Sequence, residues 1–420
     1  MKSFRLRQIL DVLALPGNAR VIAVGGIFLT CGTAIWWPLF ALFLASEGIG
    51  YVVIGTIFAA GTATSIVSAP LGGLLADRYS RKNVIVVAAA ANSVGTLSLA
   101  LTSVTSQVAL PLIVGSFASV SFGGSLASGA IRALLFESSP PSQKGAAMSS
   151  PYVLPSFAAI PMPFLGSVLS QSFSWSFVFA VGGVLVALAC VAYFLLLRET
   201  KSDQAPSLRD STPRHPWLGR AALLSPVGAL FGVYAMVGFG QGATSPFMPL
   251  YFTSFLGSSV QFFGMLTSIE MATVGVLALV SGKLVDRLGA LSTIVVSFAG
   301  EAFVLTALVF VRNIVMAGVL YETWGAVDWF DLTAPSVFIG SHVQRQSRAT
   351  AIASFGVVTR LPGLIAPGIG GVLFIIYPPL IIMLYAAIVT ASTFLILFLR
   401  KRESRRMAVD LSLHRRDPSV

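Results

Sequence analysis

Six ionisable side chains stand inside long apolar runs: Glu270, Glu301, Glu322, Asp328, Asp331 and Arg360. A charge near the centre of a bilayer costs roughly 2.5–3.5 kcal/mol on insertion scales, so each of them needs a partner or a task. Three fall in one stretch, Glu322-Thr323-Trp324-Gly325-Ala326-Val327-Asp328-Trp329-Phe330-Asp331. On a helix, Trp324, Asp328 and Asp331 follow an i, i+4, i+7 spacing and share a face, with Glu322, Gly325 and Trp329 on the adjacent one. Carboxylates in a partly desolvated cavity can take up and release protons near neutral pH, and neighbouring tryptophans offer flat apolar or cation-binding surface. Asp328 is therefore the first candidate for proton or substrate binding and Glu322 the second. Asp331 lies nearer the basic end of the helix, where water reaches it more easily. Arg360 stands about eleven residues into its run, or ~17 Å along a helix, close to the midplane. Glu270 has a similar depth on another run, so an ion pair of Arg360 with Glu270 or Glu322 is expected, either as a binding anchor or as a buried structural pair. Glu301 has no role legible in the sequence.

Only helices crossing a membrane can position such residues. Of 420 residues, 55% are hydrophobic and 10% charged, against about 25% charged in soluble domains. A hydrocarbon core of roughly 30 Å takes about 20 mostly apolar residues per helix. Six runs near 21–44, 52–76, 84–104, 108–135, 149–170 and 175–197 are followed by six near 222–255, 261–284, 290–311, 314–340, 349–374 and 377–399. The polar stretch 198–220 separates them as a linker. Residues 1–197 then form an N-terminal six-helix bundle, 221–400 a C-terminal one, and 401–420 a basic tail. The fold class is an all-α membrane protein with twelve transmembrane helices.

The net charge of +11 does not denote a nucleic-acid partner, because the basic residues sit in short loops and tails rather than on a folded face. Lys2, Arg5, Arg7 and Arg20, the loop after the second run, Lys144, the linker, Lys283 and Arg287, Arg345 and Arg348, and the tail from Arg400 to Arg416 all fall on one side, with Arg312 alone opposite. That asymmetry places both termini in the cytoplasm and implies a multi-pass protein of the plasma membrane. The N-terminus lacks an apolar core followed by a small-residue cleavage site, and reads as a retained segment. Cys31 and Cys190 both lie in apolar runs, which argues against a disulfide framework or a metal site. His215, His342 and His414 are isolated, and no nucleophile elbow, zinc helix or phosphate-binding loop occurs. An enzyme, a bound cofactor and ATP-driven chemistry are therefore not expected; the partners are the lipid bilayer and a small molecule, and the chain is expected to act as a monomer.

A charged phrase appears twice. Gly73-Leu74-Leu75-Ala76-Asp77-Arg78-Tyr79-Ser80-Arg81-Lys82 ends the second run, and Gly282-Lys283-Leu284-Val285-Asp286-Arg287-Leu288-Gly289 ends the eighth. One offset of 209 residues links Gly73 to Gly282, Asp77 to Asp286, Arg78 to Arg287, Gly48 to Gly257 and Gly55 to Gly264. Such insertion-free self-similarity denotes duplication, and hence two pseudo-symmetric six-helix bundles. A glycine four residues before an aspartate lets a neighbouring helix approach, and the aspartate can face the bare amides at another helix start, a contact worth roughly 0.3–2 kcal/mol. That is strong enough to bias a two-state equilibrium and weak enough to break.

Two six-helix halves, a polar linker and this phrase after the second helix of each half resemble the major facilitator superfamily over the whole chain. Gly73, Asp77, Arg78, Arg81 and Lys82 match the phrase as that family carries it, with Ser80 in place of its second glycine; the later copy keeps Gly282, Asp286, Arg287 and Gly289, while Ala290 and Leu291 replace the basic pair. The resemblance implies that these residues control conformational switching, with Asp77 facing the start of the eleventh helix near Arg348 and Thr350. Ala366-Pro367-Gly368-Ile369-Gly370-Gly371 also carries a Pro-x-x-Gly-Gly spacing found in such transporters where the halves meet. The fifth helix, Ala158 to Gly166, departs from the antiporter signature, and Ser119 stands where many proton-coupled members carry an arginine in the fourth.

The resemblance implies secondary active transport by alternating access with protons as coupling ion, most similar to the drug:proton antiporter-like members. The acidic, tryptophan-bearing tenth helix points to efflux of an amphipathic or cationic compound. Uptake of an anionic metabolite anchored by Arg360 is the alternative, and a sensor or scaffold without turnover a third reading. In the same family the first, fourth, seventh and tenth helices line the substrate path, which makes Trp36-Trp37-Pro38 and the stretch with Phe239, Gln241, Ser245, Pro246 and Pro249 further candidates.

Overall fold

The computed structural model describes residues 17–102, 109–139, 147–148, 151–199, 225–344 and 348–416. Residues 1–16, most of the linker, Lys144, Arg345 and the last four tail residues lie outside the described residues, and so do the expectations placed on them. Among the described residues every regular element is helical, the one solution besides a closed barrel that satisfies backbone groups in lipid.

Twelve spans run α1 Asn18–Ser46, α2 Tyr51–Arg78, α3 Arg81–Leu99, α4 Ala109–Ser138, α5 Val153–Ser172, α6 Trp175–Leu196, α7 Pro226–Phe255, α8 Val260–Leu288 and α9 Ala290–Phe310. After them come α10, from Ile314–Asp328 to Ala334–His342, α11, from Arg348–Val358 to Ala366–Ile376, and α12, Pro379–Arg416. Ten of the twelve are long and apolar enough, among the described residues, to cross a membrane. The eighth, whose apolar part is Val260–Val274, and the tenth, interrupted by its acidic stretch, are not.

Several spans are broken where the sequence runs suggested continuity, and prolines explain most of the breaks. A proline ring clashes with the carbonyl four residues earlier and lacks the N–H that would bond to it. Helix geometry in α1 stops at Ala34, four before Pro38, and in α11 at Val358, four before Pro362. Asp331 likewise stands four before Pro335, and a short 3₁₀ turn, Trp329–Asp331, replaces α-helix there. In α7 the turn Ser245–Phe247 contains Pro246.

The duplication is visible in backbone conformation. Gly48 and Gly257, at matching repeat positions, both have φ of 75°, in the region where a side chain is disfavoured. At the next matched pair the copies differ: Ser80 is extended, with φ −153°, and its hydroxyl accepts from the Asn83 amide, whereas Gly289 has φ 80° and ψ 155° and no side-chain cap. Serine for glycine in the first phrase is therefore a different way to start the next helix.

By packing the chain divides into two compact units. One comprises Met1–Asp210, Pro246–Gly275 and Gly363–Ile375; the other comprises Ser211–Ser245, Val276–Pro362 and Ile376–Val420. In the first, α3 packs on α4 and α6, α2 on α4, and α1 on α5 and α6. Small residues set these approaches. Gly55 meets the Pro367 carbonyl, Gly371 meets Tyr51, and Gly264, the repeat partner of Gly55, meets Pro163 and Ser167. In the first turn of the helix after the Pro161 break, the Phe164 amide lacks an intrahelical acceptor and donates to Ser268 Oγ at 3.1 Å. In the second unit α9 packs on α12 and α10, and the first part of α7 on α12.

Candidate functional site

The side chains that meet at mid-depth of the second unit come from five spans. Glu301 lies eleven residues after the start of α9 at Ala290, or ~17 Å along the axis. It is fully buried. Its Oε1 accepts from Trp324 Nε1 on α10 at 2.8 Å and from the Tyr385 hydroxyl on α12 at 3.1 Å. Further along α10, beyond Asp328, Asp331 is buried and accepts from the Tyr234 hydroxyl of α7. The break before Pro335 brings the two aspartates together without keeping them in one regular helix.

Beside this cluster a cavity of about 320 Å³ is lined by Asp328, Asp331, Arg360 and Gln241 among polar side chains, with Tyr234, Trp329, Phe298 and Phe355 as its aromatic wall. Tyr234 packs edge-on against Phe355 at 5.1 Å between ring centres and lies 5.4 Å from Phe298, so the wall is a connected aromatic surface. Gly238 lets α7 approach the Thr359 carbonyl of α11, which holds the segment carrying Arg360 against the cavity.

The sequence candidates fare differently. Asp328 and Asp331 line the cavity together, and Asp331 is buried rather than wetted. Trp324 is only 7% exposed and serves Glu301 as a hydrogen-bond donor; Trp329, on the adjacent face by spacing, is the tryptophan that lines the cavity. Glu322 is half-buried and is absent from the cavity lining. Arg360 is exposed into the cavity at the Pro362 break, and among the described residues no carboxylate lies within ion-pairing distance of it. The expected buried pair with Glu322 is not formed: the helix break takes the guanidinium out of regular packing. Glu270 belongs to the first unit.

Glu301 is the residue that sequence reading left without a task. Its only signal was a charge in an otherwise apolar run, and its partners come from segments 23 and 84 residues away.

In the first half, Trp36 is fully buried and packs edge-on against Phe40 and Phe179 at 5.3 and 5.5 Å. Trp37 is 43% exposed and stacks on Phe117 at 5.3 Å. Ser119 donates to the Ala91 carbonyl of α3 at 2.8 Å, joining two helices. On α7, Gln241 reaches the cavity, while Ser245 donates to the Gln241 carbonyl at 2.6 Å.

The repeated phrase has an unexpected local structure. Gly72 lies tightly against the Leu126 carbonyl of α4, and Gly73 lies beside Gly129 of the same helix, so both glycines sit where α2 and α4 approach. Asp77 and Arg78 are exposed, and Asp77 makes no hydrogen bond or ion pair among the described residues. The carboxylate at the start of α3 is Glu199, which accepts from the Ser80 hydroxyl and the Lys82 amide. Arg81 is buried and ion-paired with Glu137 at the end of α4, and Lys82 stands over the Phe194 ring. Asp286 and Arg287 are exposed at the end of α8, where Gly282 also lies.

Duplicated six-helix halves with a charged, aromatic cavity at mid-depth define a multi-pass membrane protein of the transporter class. The Major Facilitator Superfamily model matches residues 22–237 and again 230–415. The chain belongs to the major facilitator superfamily, which places it among secondary transporters rather than enzymes. Among solved structures, the nucleoside transporter NupG is similar over 91% of this chain and 99% of its own, with TM-score 0.72 and 16% identity. The D-xylose-proton symporter matches over 90% and 96%, with TM-score 0.71 and 16% identity. A bacterial homolog to the human lysosomal transporter Spinster, inward-facing and occupied, matches over 91% and 93%, with TM-score 0.68 and 15% identity. At these identities the likeness is one of fold. No curated protein matches the chain in sequence.

Proposed function

We propose that the protein is a proton-coupled secondary transporter of the plasma membrane that exports an amphipathic or cationic small molecule. The observation that carries this reading is the placement of Asp328 and Asp331 in one cavity wall with Trp329 and three further aromatic rings. Carboxylates desolvated among aromatics can exchange a proton for an organic cation, because either one satisfies the buried charge. The bundles 1–197 and 221–400 work by alternating access, both termini are cytoplasmic, and the monomer is the working unit. Asp77, Arg78, Arg81 and Lys82, with Asp286 and Arg287, bias the switch between states.

A second reading has its own observation. Arg360 lies exposed at the cavity without a carboxylate partner, and a guanidinium so placed suits an anionic or hydroxyl-rich substrate taken up with a proton. The D-xylose-proton symporter shares the fold and moves a sugar with a proton.

Purified protein in proteoliposomes decides between them. A lipophilic cation such as tetraphenylphosphonium, a nucleoside, a pentose and a small carboxylate are supplied in turn while lumenal pH is read. Cation-induced proton movement opposite to the cation supports efflux; proton movement along with a sugar, nucleoside or anion favours uptake. Asp328→Asn and Asp331→Asn should each lower proton-driven accumulation at least tenfold. If both variants accumulate the probe as the parent does, the coupling role of the tenth helix is wrong.

A further inference from the structure

Charges of opposite sign line one cavity without meeting. Asp328 and Asp331 reach it from α10 and Arg360 from α11, yet among the described residues no carboxylate stands within ion-pairing distance of the guanidinium. The backbone fixes where Arg360 lies: regular helix in α11 ends at Val358, and Gly238 of α7 fits against the carbonyl of the next residue, Thr359. The two aspartates are not equivalent. Asp331 is buried and already accepts from the Tyr234 hydroxyl, whereas Asp328 is only half-buried. Asp328 is therefore the carboxylate open to a ligand.

Much of the remaining wall is aromatic. Trp329 lines it, and Tyr234 stands edge-on to Phe355 at 5.1 Å between ring centres. A volume of about 320 Å³ lies at the small end of ligand pockets, which run from roughly 300 to 1,000 Å³, so the occupant is compact. Inside a membrane, an arginine and an aspartate each need a counter-charge or water. One small molecule with a charge of each sign supplies both counter-charges at once. A cation leaves the guanidinium unmatched, and an anion leaves the carboxylate so.

We propose that the cavity binds an amphipathic zwitterion, an ammonium and a carboxylate on one apolar or aromatic body, as in an apolar α-amino acid. The ammonium meets Asp328, the carboxylate takes the forked donors of Arg360, and the body lies against Trp329 and Phe355. This deepens the transport reading and rests on its assignment of the cavity to the transported molecule. It also explains why the same cavity offers one feature that suits a cation and another that suits an anion.

Equilibrium binding to the full chain in detergent, read by isothermal titration calorimetry, tests the substrate class without requiring transport. Phenylalanine, leucine and tryptophan are each compared with the methyl ester, which keeps only the ammonium, and with the N-acetyl derivative, which keeps only the carboxylate. At least one amino acid should bind at least tenfold more tightly than both of its capped forms. Arg360→Gln should remove the advantage over the ester, and Asp328→Asn the advantage over the N-acetyl form. Should either variant fail to fold, the three forms compared on the parent protein still decide. An ester as tight as its amino acid would mean that only the cation is read, and an N-acetyl form as tight would mean that only the anion is. Either result overturns the proposal, as does absence of binding by all three amino acids or an advantage that survives in both variants. Amino-acid binding as expected, with no proton movement in proteoliposomes, would leave the zwitterion standing and remove the proton coupling. Proton movement with tetraphenylphosphonium while no amino acid binds would do the reverse.

Discussion

At the scale of the residue, Glu301 shows how the interior holds a carboxylate: two buried donors, Trp324 Nε1 and the Tyr385 hydroxyl, both meet its Oε1. Its indole and phenol partners are themselves buried, so their stability depends on it as much as the reverse. Glu301→Ala leaves the Trp324 N–H and the Tyr385 O–H without an acceptor, at about 1–3 kcal/mol for each orphaned donor. Its thermal unfolding midpoint in detergent should fall well below that of Glu301→Gln, which retains an acceptor. Equal midpoints would mean that water or another carbonyl replaces the carboxylate. This contact was illegible in the sequence, since the ninth helix offers one charge in an apolar run and names no partner. The aspartates of the tenth helix were legible as a pair by spacing alone, but it is Trp329 rather than Trp324 that lines the cavity with them.

At the scale of the element, prolines four residues beyond a helix end explain breaks in α1 and α11, and in α10 Pro335 stands four beyond the 3₁₀ turn that ends at Asp331; two of these breaks deliver functional candidates, Asp331 and Arg360. The runs of apolar residues gave no sign of them, as hydropathy is blind to a lost hydrogen bond. The repeat shows a second such choice. Ser80 and Gly289 occupy matching positions, but the glycine has φ 80° and ψ 155°, a region nearly closed to residues with a Cβ at a cost of about 1–3 kcal/mol. Gly289→Ser should therefore lower stability by about that amount, although serine serves the first copy well. An unchanged unfolding midpoint would mean that the backbone relaxes to the extended, side-chain-capped form of Ser80. Ser80→Ala, by contrast, removes a helix cap and should cost about 1 kcal/mol.

At the scale of the whole molecule, alternating access demands contacts that form in one state and break in another. The phrase at the end of α2 is built for this in the proposed mechanism: Arg81 is tied to Glu137 while Asp77 stays exposed, so one carboxylate is left to engage a second helix start. Asp77→Lys should slow exchange of whichever probe the vesicles accept at least tenfold, with equilibrium binding of that probe retained. Loss of binding with unchanged exchange would contradict a switching role. The sequence alone determined the class of this protein. Apolar runs of bilayer length, basic loops and a repeat at constant offset are one-dimensional facts, and the membrane, which forbids unpaired backbone, turns them directly into helices and a duplicated fold. Tertiary structure decided which charges meet. Whether Glu301 meets Trp324 and Tyr385, whether Arg360 finds a partner and which tryptophan sees the cavity depend on helix rotation, on breaks and on contacts between segments tens of residues apart. In a helix that is apolar on every side, no sequence pattern records which side faces in.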